Sequence, residues 1–262
     1  MINKIRFAFN YLKYFLFGQT KHDIHSPFIF NLLTNVIEDT TPYYIFKPIE
    51  MLREKLLVSK KAITITDLGA GSSINPSRQR KIADITKHSA KPAKYGQLLF
   101  RLINHFKPEK ILELGTSLGI SSLYLATPNS NARIVTLEGC PETAAVAQNN
   151  FNILKIKNIE LSIGDFKKTL PDAVHSLKKL DAVFFDGNHQ KEATLNYFEQ
   201  CLPFTTNNSL FIFDDIYWSK GMEEAWKTIK NHPKVIVTVD LFFIGLVFFR
   251  SEQKKQHFKL KF

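Results

Sequence analysis

The chain has 262 residues, 44% of them hydrophobic and 23% charged, and its 23 phenylalanines supply too much core material for a disordered chain. The longest charge-free apolar run near the C-terminus, Leu241 to Phe249, is about half of a membrane span, which excludes a polytopic membrane protein. The 35 Lys and Arg outnumber the 24 Asp and Glu, and the resulting +11 favours anionic partners: nucleic acid, an acidic membrane surface or a phosphorylated substrate.

The length admits one or two domains. Cys140 and Cys201 cannot build a disulfide framework and neither lies in a CxxC, so a reduced cytoplasmic compartment is expected. Near the N-terminus, Asn3, Arg6, Asn10 and Lys13 recur at spacings of three and four and predict one polar stripe on a helix. Ile5, Phe9, Leu12, Phe15 and Leu16 lie opposite or beside it. The plainer reading is a helix packed on the main domain. The sharper one is a basic interfacial helix that gives peripheral contact through residues 1–18 with the inner membrane face. Asn10 and Lys13 interrupt the apolar stretch and no small-residue cleavage site comes after it, so a signal peptide is not expected.

Ser26 as N-cap and Pro27 at the first helical position predict a helix through about Ile37. His22 and His25 just before it read as surface or capping residues, with contact to a substrate as the alternative. Ala62 to Thr66 reads as a short strand. It leads into Asp67-Leu68-Gly69-Ala70-Gly71-Ser72, which has the look of a nucleotide loop. The next residues, Ser73 to Lys81, are polar and basic with a proline, where a nucleotide loop should open an apolar helix. The loop is therefore read as a decoy, or as a lid or substrate edge.

From residue 92 the pattern is regular. A helix over 93–105 precedes strands at 110–114, 133–137, 159–163, 181–185, 210–213, 235–239 and 246–249. Helices near 119–126, 141–154, 166–177, 190–201 and 220–231 separate the first six. This alternation predicts an α/β, Rossmann-like, mainly parallel seven-stranded sheet. The last two strands are joined by only a few residues around Phe243-Ile244-Gly245, so they must form an antiparallel C-terminal hairpin. The expected organisation is a helical N-terminal extension over 1–91 and a cofactor-binding domain over 92–262.

In such sheets ligands bind beyond the carboxyl ends of the strands. After the first strand comes Glu113-Leu114-Gly115-Thr116-Ser117-Leu118-Gly119. A dinucleotide loop would be GxGxxG, but here Ser117 holds the middle position, which argues for a smaller ligand than NAD. After the second strand comes Glu138, placed to accept two hydrogen bonds from a ribose diol. The third is followed by Gly164-Asp165-Phe166, the fourth by Asp186-Gly187-Asn188-His189 and the fifth by Asp214-Asp215. One such acid reads more simply as a helix cap, but five in succession read as a ligand site.

Residues 93–250 resemble the class I S-adenosylmethionine-dependent methyltransferases. Tyr95-Gly96-Gln97-Leu98-Leu99 with Ile111 to Ser121 is similar to the small-molecule O-methyltransferase branch of the catechol and caffeoyl-CoA enzymes. Phe185-Asp186-Gly187-Asn188-His189 is similar to a "DGxH" form in its bacterial members. The resemblance implies that Glu113, Gly115, Thr116, Ser117 and Gly119 line the methionine end of S-adenosylmethionine. It implies that Glu138 and Gly139 hold the ribose, that Asp165 and Phe166 hold the adenine, and that Asp186 faces the sulfonium and the substrate. Metal-dependent members bind a divalent cation through a carboxylate matching Asp186 and an Asp-Asn pair at the next strand end. Here that pair is Asp214-Asp215, and His189 stands near the place of the family's lysine.

Two routes lead to a reactive hydroxyl. His189 or Asp186 acts as general base, or Asp186, Asp214 and Asp215 hold Mg²⁺ or another divalent cation. The expected activity is O-methylation of a small-molecule acceptor, and the net charge favours an anionic one. The alternatives are an RNA or other nucleic-acid methyltransferase, suggested by Arg78, Arg80 and Lys81 but lacking a proline after Asp186, and a membrane-associated cofactor-binding protein without turnover. The tail lysines Lys254, Lys255, Lys259 and Lys261 read as solvated.

Overall fold

The structure is a computed structural model that describes residues 4–66 and 79–262. The loop Asp67 to Ser72 and Arg78 lie outside the described residues.

The aromatic N-terminal stretch forms α1 (Lys4–Phe17). In α2 (Pro27–Leu32) the hydroxyl of Ser26 accepts from the Ile29 amide, so the cap expected at Ser26 is made. The helix continues as one π turn, Leu33–Ile37, so the element ends where the sequence placed its end. Next come α3 (Phe46–Leu57), β1 (Ala62–Thr64), β2 (Gln79–Lys81), α4 (Ile82–Ser89) and α5 (Ala93–Phe106). β1 and β2 pair antiparallel, and β1 stops at Thr64 rather than Thr66.

The regular part then alternates as expected. It runs β3 (Lys110–Leu114), α6 (Ile120–Ala126), β4 (Arg133–Glu138), α7 (Pro141–Ile153), β5 (Ile159–Ile163) and α8 (Phe166–Leu177). It continues through β6 (Leu180–Phe185), α9 (Lys191–Cys201), β7 (Thr205–Asp214), α10 (Lys220–Asn231), β8 (Val237–Asp240), β9 (Ile244–Phe248) and β10 (Gln256–Lys259). The architecture is a Rossmann-like α/β fold, mostly parallel, with antiparallel C-terminal strands and N-terminal helices.

The chain forms two compact units, residues 40–177 and residues 1–39 with 178–262. In the first, β3, β4 and β5 pair in parallel, with Leu114 beside Leu137 and Glu138 beside Ile163. Their carboxyl ends are thus level, and the loops beyond them emerge side by side. β3 is buried along Ile111 to Leu114, as expected of a parallel strand that meets apolar side chains on both faces. Gly96 in α5 has a packing reason: a Cβ there would collide with the Tyr124 ring of α6.

In the second unit β6 and β7 are parallel, with Phe185 beside Phe213 and their rings stacked at 4.3 Å. β9 pairs antiparallel with both β7 and β8, which is the hairpin expected from the short Phe243 connection. β7 begins at Thr205, earlier than the expected residue 210. Its polar start is held by Ser209, whose hydroxyl donates to the Leu180 carbonyl at 2.6 Å. One further strand was not expected: β10 runs parallel to β8. Of the tail lysines read as solvated, Lys254, Lys255 and Lys261 are exposed and Lys259 is half-buried at the end of this strand.

Candidate functional site

In the unit 40–177 the loop after β3 is built on backbone geometry. Gly115 has φ 105 and Gly119 has φ 81, and the turn between them includes Ser117 at φ 49. A positive φ at a non-glycine residue costs about 1 kcal/mol or more unless its surroundings hold it. Here the Ser117 amide donates to Glu138 Oε2 at 2.8 Å. The other oxygen of the same carboxylate accepts from the Cys140 amide at 2.9 Å. Glu138 thus stands fixed at the end of β4 by two backbone donors. A Cβ on Gly119 would come within 2.5 Å of the Phe151 ring of α7, so this turn has room only for glycine.

Glu113 is fully buried. Its Oε2 accepts from the hydroxyls of Ser122 and Thr136, the latter at 2.7 Å. Among the described residues its Oε1 has no hydrogen-bond partner by geometry. Burial pushes the carboxyl up to about 7, against the pull of the Ser121, Ser122 and Thr136 hydroxyls. Thr116 is buried and its hydroxyl lies 2.6 Å from that of Thr136. At the end of β5, Asp165 Oδ1 accepts from the Lys167 amide at 2.9 Å, so this acid caps the start of α8. Phe166 comes directly after it, half-buried. Gly139 is half-buried between Glu138 and Cys140. The fixed carboxylate of Glu138, the unpartnered buried oxygen of Glu113 and the glycine-lined turn fit a small cofactor with a sugar diol and a charged tail.

In the other unit, the parallel pairing of β6 and β7 puts Asp186 and Asp214 at adjacent strand ends. The ligand atoms of Asp186, His189 and Asp214 all lie within 4.8 Å of one another, with Asp214 buried and the other two half-buried. His189 Nε2 is 3.7 Å from Asp186 Oδ1. The turn that brings His189 round passes through Asn188 at φ 51, whose amide nitrogen donates to Tyr197 Oη at 3.4 Å. Among the described residues Asn188 Oδ1 is buried without a hydrogen-bond partner. Asp215, with φ 53, is not part of the cluster. Two carboxylate oxygens and an imidazole nitrogen are a donor set suited to a divalent cation of intermediate hardness, and equally to proton transfer. The alternation of acids read from the sequence did not separate Asp214 from Asp215. Nothing in the spacing marked Ser122 or Thr136 as partners of Glu113.

His22 and His25 are exposed, and His25 lines a shallow depression with Ser26, Asn31 and Asn35. Cys140 and Cys201 are both free and buried. No described helix is long and apolar enough to cross a membrane.

Residues 112–216 match a family described as a methyltransferase domain. A catechol O-methyltransferase of Niastella koreensis is 30% identical over 131 residues, covering 49% of this chain and 57% of that protein. The chain thus spans little more than half the length of this curated relative. The structure of the O-methyltransferase TomG from Streptomyces achromogenes in complex with SAM superposes with a TM-score of 0.53 at 23% identity, covering 62% of this chain and 82% of that one. An O-methyltransferase from Bacillus cereus in complex with SAH gives 0.55 at 19% identity, covering 83% and 96%. At these identities the structures establish a shared fold.

Proposed function

We propose, from a chain whose residues 112–216 match a methyltransferase-domain family, that the protein is a class I methyltransferase of the O-methyltransferase type that transfers a methyl group from S-adenosylmethionine to a hydroxyl of a small molecule, a catechol being the first acceptor to test. The observation that carries the reading is the convergence of Asp186, His189 and Asp214 at the ends of β6 and β7, in a chain that also carries the Gly115–Gly119 turn.

The bound cofactor supplies an already activated methyl group. The remaining tasks fall to the chain: hold the donor, exclude water, align the acceptor and take its proton. Glu138 and Gly139 are assigned the ribose, and Glu113, Gly115, Thr116, Ser117 and Gly119 the methionine end. Asp165 and Phe166 are assigned the adenine. Asp186, His189 and Asp214 are assigned the acceptor hydroxyl. A divalent cation held there would lower the hydroxyl's pKa; without one, His189 accepts the proton with Asp186 beside it. Asp215, which the sequence also offered as a ligand, lies outside the cluster and is given no part in holding the cation. The preamble, residues 1–91, is assigned the choice of acceptor, and the +11 charge suits an acceptor that is anionic.

Calorimetry with S-adenosylhomocysteine and a methyl-transfer assay with a catechol test this together. Binding with a micromolar or tighter Kd and methylated product are expected. An intact fold with no binding heat ends the proposal. Loss of turnover in EDTA, restored by Mg²⁺ or Mn²⁺, assigns the cluster to a cation; unchanged turnover assigns His189 as base.

A further inference from the structure

We propose that α1 is a docking surface for an anionic lipid bilayer, on which it lies in the plane of the headgroups. The helix is turned inside out relative to an ordinary surface helix, whose polar face meets water. Its inward face carries Arg6, Asn10 and Tyr14 beside the rings of Phe7 and Tyr11. Arg6 Nη1 is 2.9 Å from Glu223 Oε1, and Asn10 Nδ2 donates to the same oxygen at 2.7 Å. Tyr14 is buried and its hydroxyl donates to the Leu260 carbonyl at 2.6 Å. The rings of Phe7 and Tyr11 pack edge-on against Phe242 at 5.1 and 5.0 Å.

These contacts fix the rotation of α1 and leave the opposite face apolar. Ile5 is 84% exposed, Phe9 65%, Leu12 54% and Leu16 62%, a stripe at spacings of four, three and four. Phe15 and Phe17 widen it. An apolar stripe this continuous on a small protein marks an interaction surface.

Charge selects the occupant. No acid occurs between Met1 and His22. Lys13 is exposed beside the stripe, and Lys21 is exposed in the turn that follows the helix. The bridge between Gln19 and Leu260 brings in the C-terminal segment, where exposed Lys261 places its ammonium 5.2 Å from the centre of the Phe15 ring. Among the described residues the carboxylate bonded to the helix, Glu223, is on the inward side and matched by Arg6, and the exposed Asp23 beyond the helix is outnumbered by Lys13, Lys21 and Lys261. A cationic rim around an apolar stripe suits anionic headgroups above acyl chains. Two copies of the same rim would repel one another, which disfavours a second chain as the partner. With its 14 residues, α1 is about 21 Å long, too short to span a bilayer, so it lies flat. The inference stands whether or not the methyl-transfer reading does.

Flotation of the full chain with vesicles tests it. The protein is expected to float with phosphatidylcholine–phosphatidylglycerol vesicles and to stay behind with phosphatidylcholine alone. The combined variant Phe9→Gln, Leu12→Gln, Leu16→Gln should keep its Tm, because these side chains already face water, and should lose partitioning by about tenfold or more. Lys13→Glu with Lys261→Glu should abolish the preference for the anionic vesicles. No flotation of the unaltered chain, or equal flotation of the triple variant, overturns the proposal. So does a dimer in sedimentation that the triple variant dissociates, since that assigns the face to a second copy.

Discussion

The strand ends of the two units arrange their acids differently. In the unit 40–177 the carboxylates are tied to protein donors: Glu138 to two backbone amides, Glu113 to hydroxyls, Asp165 to the start of a helix. In the other unit Asp186, His189 and Asp214 are gathered by strand pairing and face one another. The first arrangement is part of the fold, and in the proposed reading it also receives the cofactor. The second sets two carboxylates and an imidazole within 4.8 Å of one another, an arrangement that can take up a proton or a cation. The expectation is that substitutions in the first disturb stability and binding together, whereas substitutions in the second disturb chemistry at little cost to stability.

The largest effect should come from the second cluster. Asp186→Asn is expected to lower kcat by about a hundredfold to ten-thousandfold, with Tm little changed because the side chain keeps its size at the end of β6. A fall in Tm that accounts for the lost rate would erase the contrast between the two regions.

The next concerns Glu113. Its folded-state pKa of about 7 lies above the ordinary 4.5, so the folded protein binds the proton more tightly than the unfolded chain does. Stability from this group is therefore fully present below pH 4.5, falls as pH rises to about 7 and is flat above. Urea titrations at the two ends of that window should show the unaltered chain losing about 3 kcal/mol more than Glu113→Gln. Parallel curves would mean that the carboxylate is better compensated than its burial suggests.

A smaller effect is expected for Gly119→Ala, where φ 81 and the Phe151 ring both oppose a methyl group. A destabilisation of about 2 kcal/mol, with weaker binding of S-adenosylhomocysteine, would confirm that the turn belongs to the fold and the receptacle at once. Weaker binding at unchanged stability would separate them.

Much of this arrangement was legible in the chain because apolar runs ending in an acid or a glycine are written locally. The runs Ile111 to Leu114, Ile134 to Leu137 and Ala182 to Phe185 became buried strands, and the helices between them began and ended close to their expected places. What was hidden depends on partners far along the chain. Gln256-His257-Phe258-Lys259 has one apolar side chain, and only backbone pairing to β8 makes it a strand. The partners of Glu113 lie 9 and 23 residues away, and no periodicity links them. The polar stripe of α1 was visible, but its inward direction was not, because the decisive residue is Glu223 in a distant helix.

The stitching of residues 14–19 to the C-terminal segment has a practical outcome. Gln19 donates its amide to the Lys259 carbonyl at 2.7 Å and accepts from the Lys261 amide, while Tyr14 reaches Leu260. Early and late stretches of the polypeptide are one woven seam, so a purification tag fused directly after Phe262 would tug on the aromatic helix, and a spacer ahead of any such fusion is the safer design.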